Sequence, residues 1–215
     1  MVRINHIKHR ALIFSCFLLA TMQVAAQKNV PNYAVKRPVL AIQFLLNDFK
    51  TADQLRKYSI GNVLNHNNWS RMAEMDAGLG LSYLQGLTPY IDISGRLDIT
   101  SLDYLFRNKP VQGYDNALVE TDASLRIKLL PDKYFLVPYL DAGAGLSVYK
   151  KIVGAYLPLG MGIQLNLGKG DAFIFSDIQY RVPLTGNTNF HFNYAVGVAA
   201  ALVERKEMAL LPPVN

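Results

Sequence analysis

Between Leu118 and Leu129 every charged side chain lies on an even position: Glu120, Asp122, Arg126 and Lys128, with Ser124 among them. The odd positions carry Val119, Thr121, Ala123, Leu125, Ile127 and Leu129. Successive side chains project to opposite faces of a strand but wind around a helix, so only an extended chain collects these charges on one side. Tyr90 to Leu102 repeats the pattern, with Asp92, Ser94, Arg96, Asp98 and Thr100 alternating with Ile91, Ile93, Gly95, Leu97 and Ile99.

Six further segments share the two-faced pattern. Leu40 to Asn47 sets Gln43 against Ile42, Phe44 and Leu46, and Arg71 to Leu84 sets Asp76, Gly78, Gly80 and Ser82 against Met75, Ala77, Leu79, Leu81 and Tyr83. From Phe135 to Val148 the polar parity holds Tyr139, Asp141, Gly143, Gly145 and Ser147. From Ala155 to Leu167 it holds Gly160, Gly162, Gln164 and Asn166. Ala172 to Val182 opposes Asp177, Gln179 and Arg181 to Ile174, Ile178 and Tyr180, and Phe190 to Leu202 opposes His191, Asn193 and Gly197 to Phe192, Tyr194, Val196 and Val198. The pattern predicts eight strands in all.

Connector lengths alternate as well. Gln85 to Pro89, Leu130 to Lys133 and Gly168 to Asp171 are tight and rich in turn residues. Asn47 to Ser70 is long and polar, Asp103 to Asn116 intermediate, Lys150 to Gly154 short, and Pro183 to Asn189 a Thr-Gly-Asn loop. In the first loop, Thr51 and Gln54 have the spacing of a capping box for a helix reaching Arg56.

Alternation alone also suits a soluble sheet with one wet side, including a lipocalin-like barrel around a ligand. Strand length argues for lipid. Soluble strands average about five or six residues, whereas a tilted strand needs about 9 to 11 to cross the hydrocarbon layer, and several of these segments are that long. The glycines agree, because Gly78, Gly80, Gly143, Gly145, Gly160 and Gly162 share the charged parity and would give long Arg, Lys and Tyr side chains room inside a narrow barrel. Tyr83, Tyr90, Tyr134 and Phe135 flank the short turns, and Tyr104, Tyr149, Tyr156, Tyr180 and Phe190 flank the loops, as two interfacial girdles require. Pro138, Pro158 and Pro183 are placed near strand ends, where a missing N–H costs least. The expected fold is all-β: an eight-stranded antiparallel up-and-down transmembrane β-barrel.

The first residues supply a matching address. Arg3, Lys8 and Arg10 precede an apolar run from Ala11 to Ala20, and Val24-Ala25-Ala26 offers a small-x-small cleavage site before Gln27. That run is too short for a lone membrane anchor. Cys16 is a poor lipidation site, with Phe14 two residues before it, and it is the only cysteine, so a mature chain would have no disulfide or thiolate metal site. The expected organisation is a signal peptide over 1–26, a periplasmic segment over 27–37, a barrel over 38–203 and a tail or linker start over 204–215. Of 22 basic residues three lie in the leader, leaving 19 against 16 acidic ones. With the remainder scattered singly, the footprint of a nucleic-acid binder is missing.

With these features, Leu45-Leu46-Asn47-Asp48-Phe49, Ala77-Gly78-Leu79-Gly80-Leu81-Ser82-Tyr83-Leu84, Asp141-Ala142-Gly143-Ala144-Gly145 and Leu159-Gly160-Met161-Gly162-Ile163 resemble the N-terminal barrel domain of OmpA-type outer-membrane proteins. The resemblance spans roughly Pro38 to Val203. It implies a barrel anchored in the outer membrane of a Gram-negative cell envelope, reached through periplasmic chaperones and the barrel-assembly machinery. Such a barrel is often followed by a Pro-rich linker and a peptidoglycan-binding domain; Leu211-Pro212-Pro213-Val214-Asn215 is the expected start of such a linker, and cell-wall tethering is not carried over.

Asp92, Asp98, Glu120, Asp122, Asp141 and Asp177 share the inward parity with Arg96, Arg126, Lys128 and Arg181. Unpaired charges in a narrow lumen would be costly, so an interlocked network is expected. It would close the lumen and leave a structural, anchoring or surface-interaction role; the alternative is a narrow porin-like path for small solutes or ions. Catalysis is not expected: Ser70, His191 and His66 near the rim have nothing that sets their separation. The pairs Gly78-x-Gly80 and Gly160-x-Gly162 continue as strands and so are not phosphate loops. No cofactor and no metal site is expected. The loop 47–70, with Trp69, is the expected contact surface for an extracellular ligand.

Overall fold

The computed structural model describes residues 35–58, 61, 69–102, 117–167 and 172–202. Its strands are β1 (Val39–Asp48), β2 (Asp76–Gly86), β3 (Ile91–Ser101), β4 (Ala117–Lys128), β5 (Leu136–Tyr149), β6 (Ile152–Leu167), β7 (Ala172–Pro183) and β8 (His191–Ala201). A helix, α1 (Phe49–Lys57), follows β1, and a 3-10 turn (Met72–Glu74) precedes β2. Each strand pairs antiparallel with the next, and β8 returns to β1 along a ladder from Val39–Ala201 to Asp48–Phe192, so the sheet closes without an edge. One end of the barrel, called here the turn end, joins β2 to β3, β4 to β5 and β6 to β7; the other, the loop end, carries α1 and the β5–β6 connection. The leader 1–26, the tail 204–215, His66, Tyr104 and the connector 168–171 lie outside the described residues.

Burial follows the parity read from the sequence. On β4, Leu118, Glu120, Asp122, Ser124, Arg126 and Lys128 are buried, while Leu125 and Ile127 between them are about half exposed. The carboxylates, lysines and arginines of the strands point inward: Asp76, Asp92, Arg96, Asp98, Glu120, Asp122, Arg126, Lys128, Asp141, Asp177 and Arg181; Asp48, at the loop end of β1, stands on the other parity and is buried beneath α1. The outward positions carry Ile42, Phe44, Leu79, Ile99, Leu140, Met161, Ile178 and Val198. This reverses the arrangement of a soluble ligand-binding barrel.

The inner face is not wholly polar. Val39, Ala41, Leu84, Phe173, Phe175 and Ala199 make an apolar cluster at the turn end. At the loop end Phe49 of α1 packs with Leu102, Leu118 and Tyr149.

Several boundaries differ from the sequence reading. β2 starts at Asp76 instead of Arg71, because Glu74 folds back to accept the Arg71 backbone N–H at 3.0 Å and Lys50 at 2.9 Å, closing the 3-10 turn. Those bonds hold the Glu74 carboxyl below its ordinary pKa, the backbone donor contributing most. The cap of α1 is Asp48, not Thr51; its carboxylate accepts the Thr51 N–H at 2.8 Å, and the helix begins three residues earlier than the Thr51–Gln54 spacing implied. Pro158 lies inside β6, not near its end. It sits where the β5–β6 ladder lapses between the Ala142–Leu159 and Gly145–Tyr156 pairs, so its missing N–H forfeits little. Tyr149 and Tyr156 are lumen residues, not girdle residues: both occupy the inward parity of their strands and are buried. Tyr83, Tyr90, Tyr134 and Phe135 do stand exposed beside the short turns.

β6 also begins at Ile152, three residues before Ala155, which shrinks its loop to Lys150 and Lys151. Both have left-handed backbones, with φ of 47° and 67°, the geometry a two-residue hairpin requires and one that lysine tolerates poorly. Lys151→Gly should therefore raise stability by about 0.5 to 1 kcal/mol, read as a higher urea midpoint for the folded barrel in detergent.

Candidate functional site

Because β3 and β7 are four strands apart in a closed ring of eight, they face each other across the lumen. Two ion pairs span that gap in opposite senses. Arg96 of β3 reaches Asp177 of β7 at 2.8 Å, and Asp98 of β3 receives Arg181 of β7 at 2.5 Å. The residues are close neighbours of one parity on each strand, so alternation presents both ends of the clasp to the same interior.

Around the clasp the charges form three levels. Toward the loop end Arg181 also binds Glu120 of β4 and lies 3.8 Å from Asp122. Glu120 further contacts His191 Nε2 at 3.3 Å, while His191 Nδ1 is 2.9 Å from the Asn189 carbonyl. Gln43 completes this level, donating to Asp98 at 2.8 Å. In the middle, Arg126 of β4 binds Asp141 of β5 at 3.0 Å and stacks 3.7 Å from the centre of the Tyr139 ring, whose hydroxyl donates to Asp177 at 3.2 Å. At the turn end Lys128 and Lys36 share Asp92, each at 2.8 Å, and both approach Asp132, at 2.5 and 3.5 Å. Lys36 also donates to Gln164 at 2.7 Å.

All ten residues expected in the lumen are buried there: Asp92, Arg96, Asp98, Glu120, Asp122, Arg126, Lys128, Asp141, Asp177 and Arg181. Asp122 is the least directly paired, with Ser124 donating to it at 3.0 Å and Tyr156 at 3.4 Å. Sequence reasoning missed Lys36, Asp132, His191 and Gln43 as members. Gln43 and His191 were already on the polar parity, so that signal was present. Lys36 precedes β1 and Asp132 sits in a turn, where parity carries no information.

Glycine placement explains how so many long side chains fit. Gly145 is paired with Tyr156 across the β5–β6 ladder, and a Cβ on Gly145 would lie 2.5 Å from the Tyr156 ring. Gly162 stands in the same relation to Tyr139, again at 2.5 Å. Each ring lies across a strand that offers no side chain, so aromatic and glycine together fill one layer of the interior.

Ser70 and His191, the described rim residues considered for catalysis, take separate partners. Ser70 donates to Asp48 at 2.6 Å and its backbone N–H to Thr51 at 3.0 Å, which ties the returning loop to the first turn of α1. His191 instead stacks on Phe49, 4.4 Å between ring centres, and faces Glu120. Among the described residues no group of three or more His, Cys, Asp or Glu side chains could hold a metal ion.

No family model matches this chain, and no curated protein matches it. Solved structures do. Neisserial surface protein A (NspA) aligns with a TM-score of 0.51 and 12% identity, over 77% of this chain and 96% of that one. The fold is shared. The N-terminal β-barrel domain of Pseudomonas aeruginosa OprF aligns at a TM-score of 0.48 and 12% identity, over 77% of this chain and 98% of that one. Ail, the attachment invasion locus protein of Yersinia pestis, in complex with the heparin analogue sucrose octasulfate, aligns at 0.46 and 12%, with the same coverage. All three are eight-stranded outer-membrane barrels.

Replacing one partner of a buried ion pair leaves the other charge stranded, which typically costs about 3 to 5 kcal/mol. Arg181→Met should lose stability of that order, because Asp98 and Glu120 both depend on it. Asp98→Asn and Glu120→Gln added to Arg181→Met should recover part of the loss, measured by urea unfolding followed through Trp69 fluorescence.

Proposed function

We propose that the protein is an outer-membrane β-barrel whose strands cross lipid and whose lumen is shut by its charge network, serving as an anchor or surface-interaction scaffold and not as an enzyme. The observation that carries this reading is the sorting of charge. Outward positions of the eight strands bear no Asp, Glu, Lys or Arg except Asp48, the last residue of β1, which is buried as the cap of α1 at the loop end, while the inward positions hold the rest. Water would solvate an outward lysine at little cost; a bilayer would not. Strand lengths of 10 to 16 residues are those a tilted crossing needs. The closed ring satisfies every strand without an edge, the condition for a sheet in lipid.

In this reading the leader 1–26 exports the chain, the turn end faces the periplasm and the loop end faces outward. Chaperones and the barrel-assembly machinery would deliver it, and the loop 47–70 would offer the surface contact. Closure is supported by the reciprocal β3–β7 clasp, by Lys36 at the turn end and by Phe49 at the loop end.

The purified protein should migrate on a gel as a compact species until boiled and should remain in the outer-membrane fraction, whereas a soluble barrel would do neither. In planar bilayers the wild type should show no stepwise conductance; regular steps that change in Arg96→Ala or Arg126→Ala would establish the narrow channel instead. Leu97→Arg, an outward change at mid-strand, should destabilise the lipid-inserted barrel by about 2 to 4 kcal/mol. In a water-soluble protein the same change would be close to neutral.

A further inference from the structure

Helix α1 lies against β8 at the loop end, and its last turn carries Arg56 and Lys57. Two of the three cations of this helix have carboxylate partners: Lys50 binds Glu74 at 2.9 Å and Lys57 binds Asp53 at 2.5 Å. Arg56 is exposed and makes no ion pair among the described residues. Its guanidinium instead sits 3.9 Å from the centre of the Phe190 ring. Phe190 begins a run of rings on the outer face of β7 and β8. Phe190 and Tyr180 are 5.9 Å apart, Tyr180 and Phe192 4.8 Å, and Phe192 and Tyr194 6.1 Å.

Tyrosines and phenylalanines grouped in this way mark the depth at which hydrocarbon gives way to headgroups. A guanidinium resting on the uppermost ring is therefore held at headgroup level, on the lipid side of the rim. Stacking restrains the planar fork while leaving its N–H donors for a second partner, and that fork matches the oxygens of a phosphate. Among the described residues this guanidinium has no carboxylate partner, and at headgroup depth lipid phosphates supply the matching charge.

We propose that Arg56 with the Phe190–Tyr180–Phe192–Tyr194 face forms a docking site for one phosphorylated lipid of the leaflet at the loop end, its phosphate on Arg56 and its acyl chains along the rings. This rests on the reading of the protein as a membrane barrel.

The test uses the folded full-length barrel in detergent, titrated with diphosphoryl lipid A or its fully dephosphorylated form and counted for bound lipid by native mass spectrometry. Heat-modifiable migration of each sample reports the barrel separately from lipid selectivity. Wild type should retain one phosphorylated lipid with a preference of about tenfold over the dephosphorylated form, the worth of one charge-assisted contact. Arg56→Gln should abolish that preference, while Lys57→Gln should keep it. Equal retention of the two lipids by wild type, an equal loss in Lys57→Gln, or displacement of the lipid by millimolar inorganic phosphate would each overturn the proposal. A folded barrel with no lipid preference would leave the membrane reading standing, whereas loss of heat-modifiability in wild type would remove that reading itself.

Discussion

The clasp in which Arg96 binds Asp177 and Arg181 binds Asp98 is the interaction on which the other features converge. Charges buried away from water are tolerated only when partnered, and each arginine here finds its carboxylate on the opposite wall. The clasp consequently depends on closure: an open sheet of these strands would hold the four groups far apart and unpaired. Closure depends in turn on β8 finding β1, whose ladder extends across all of β1. Ion pairing and barrel closure are thus one cooperative event.

Shape follows from the same requirement. An eight-stranded barrel has room for little more than its own side chains, so arginines and tyrosines must be balanced by positions without a side chain. Tyr156 over Gly145 and Tyr139 over Gly162 meet that need, and Tyr139 also serves as the surface on which Arg126 stacks. Apolar clusters occupy both ends of the bore, the turn-end one beside the Lys36–Asp92–Lys128 group and the loop-end one beneath α1. Helix α1 completes the loop end twice over, with Phe49 turned inward onto His191 and Arg56 turned outward onto Phe190.

Much of this was legible in the chain because alternation in a strand is a property of the backbone. Wherever Asp, Arg and Lys alternate with Leu and Ile, as from Glu120 to Lys128, the inward set could be named without coordinates, and the ten lumen residues were. The departures have separate physical causes. Tyr149 and Tyr156 stand near loops, as girdle residues do, but their parity points inward. β2 was begun too early because Arg71 to Met75 can be read as alternating, while the Glu74 contacts that bend it depend on Lys50, distant in sequence. Lys36 and Asp132 escaped notice because neither lies on a strand.

The sequence by itself determined which residues share a face, since that follows from a period of two and needs no partner strand. It determined the number of strands and that charge and hydrocarbon surface were to be kept apart. Only the tertiary structure decided who pairs with whom: that Arg181 takes Asp98 and Glu120, that two lysines share Asp92, and that Arg56 rests on Phe190. Those choices are set by register and curvature, which place residues from 36 to 134 positions apart within a few ångströms of each other. No local pattern in the chain encodes distances of that kind.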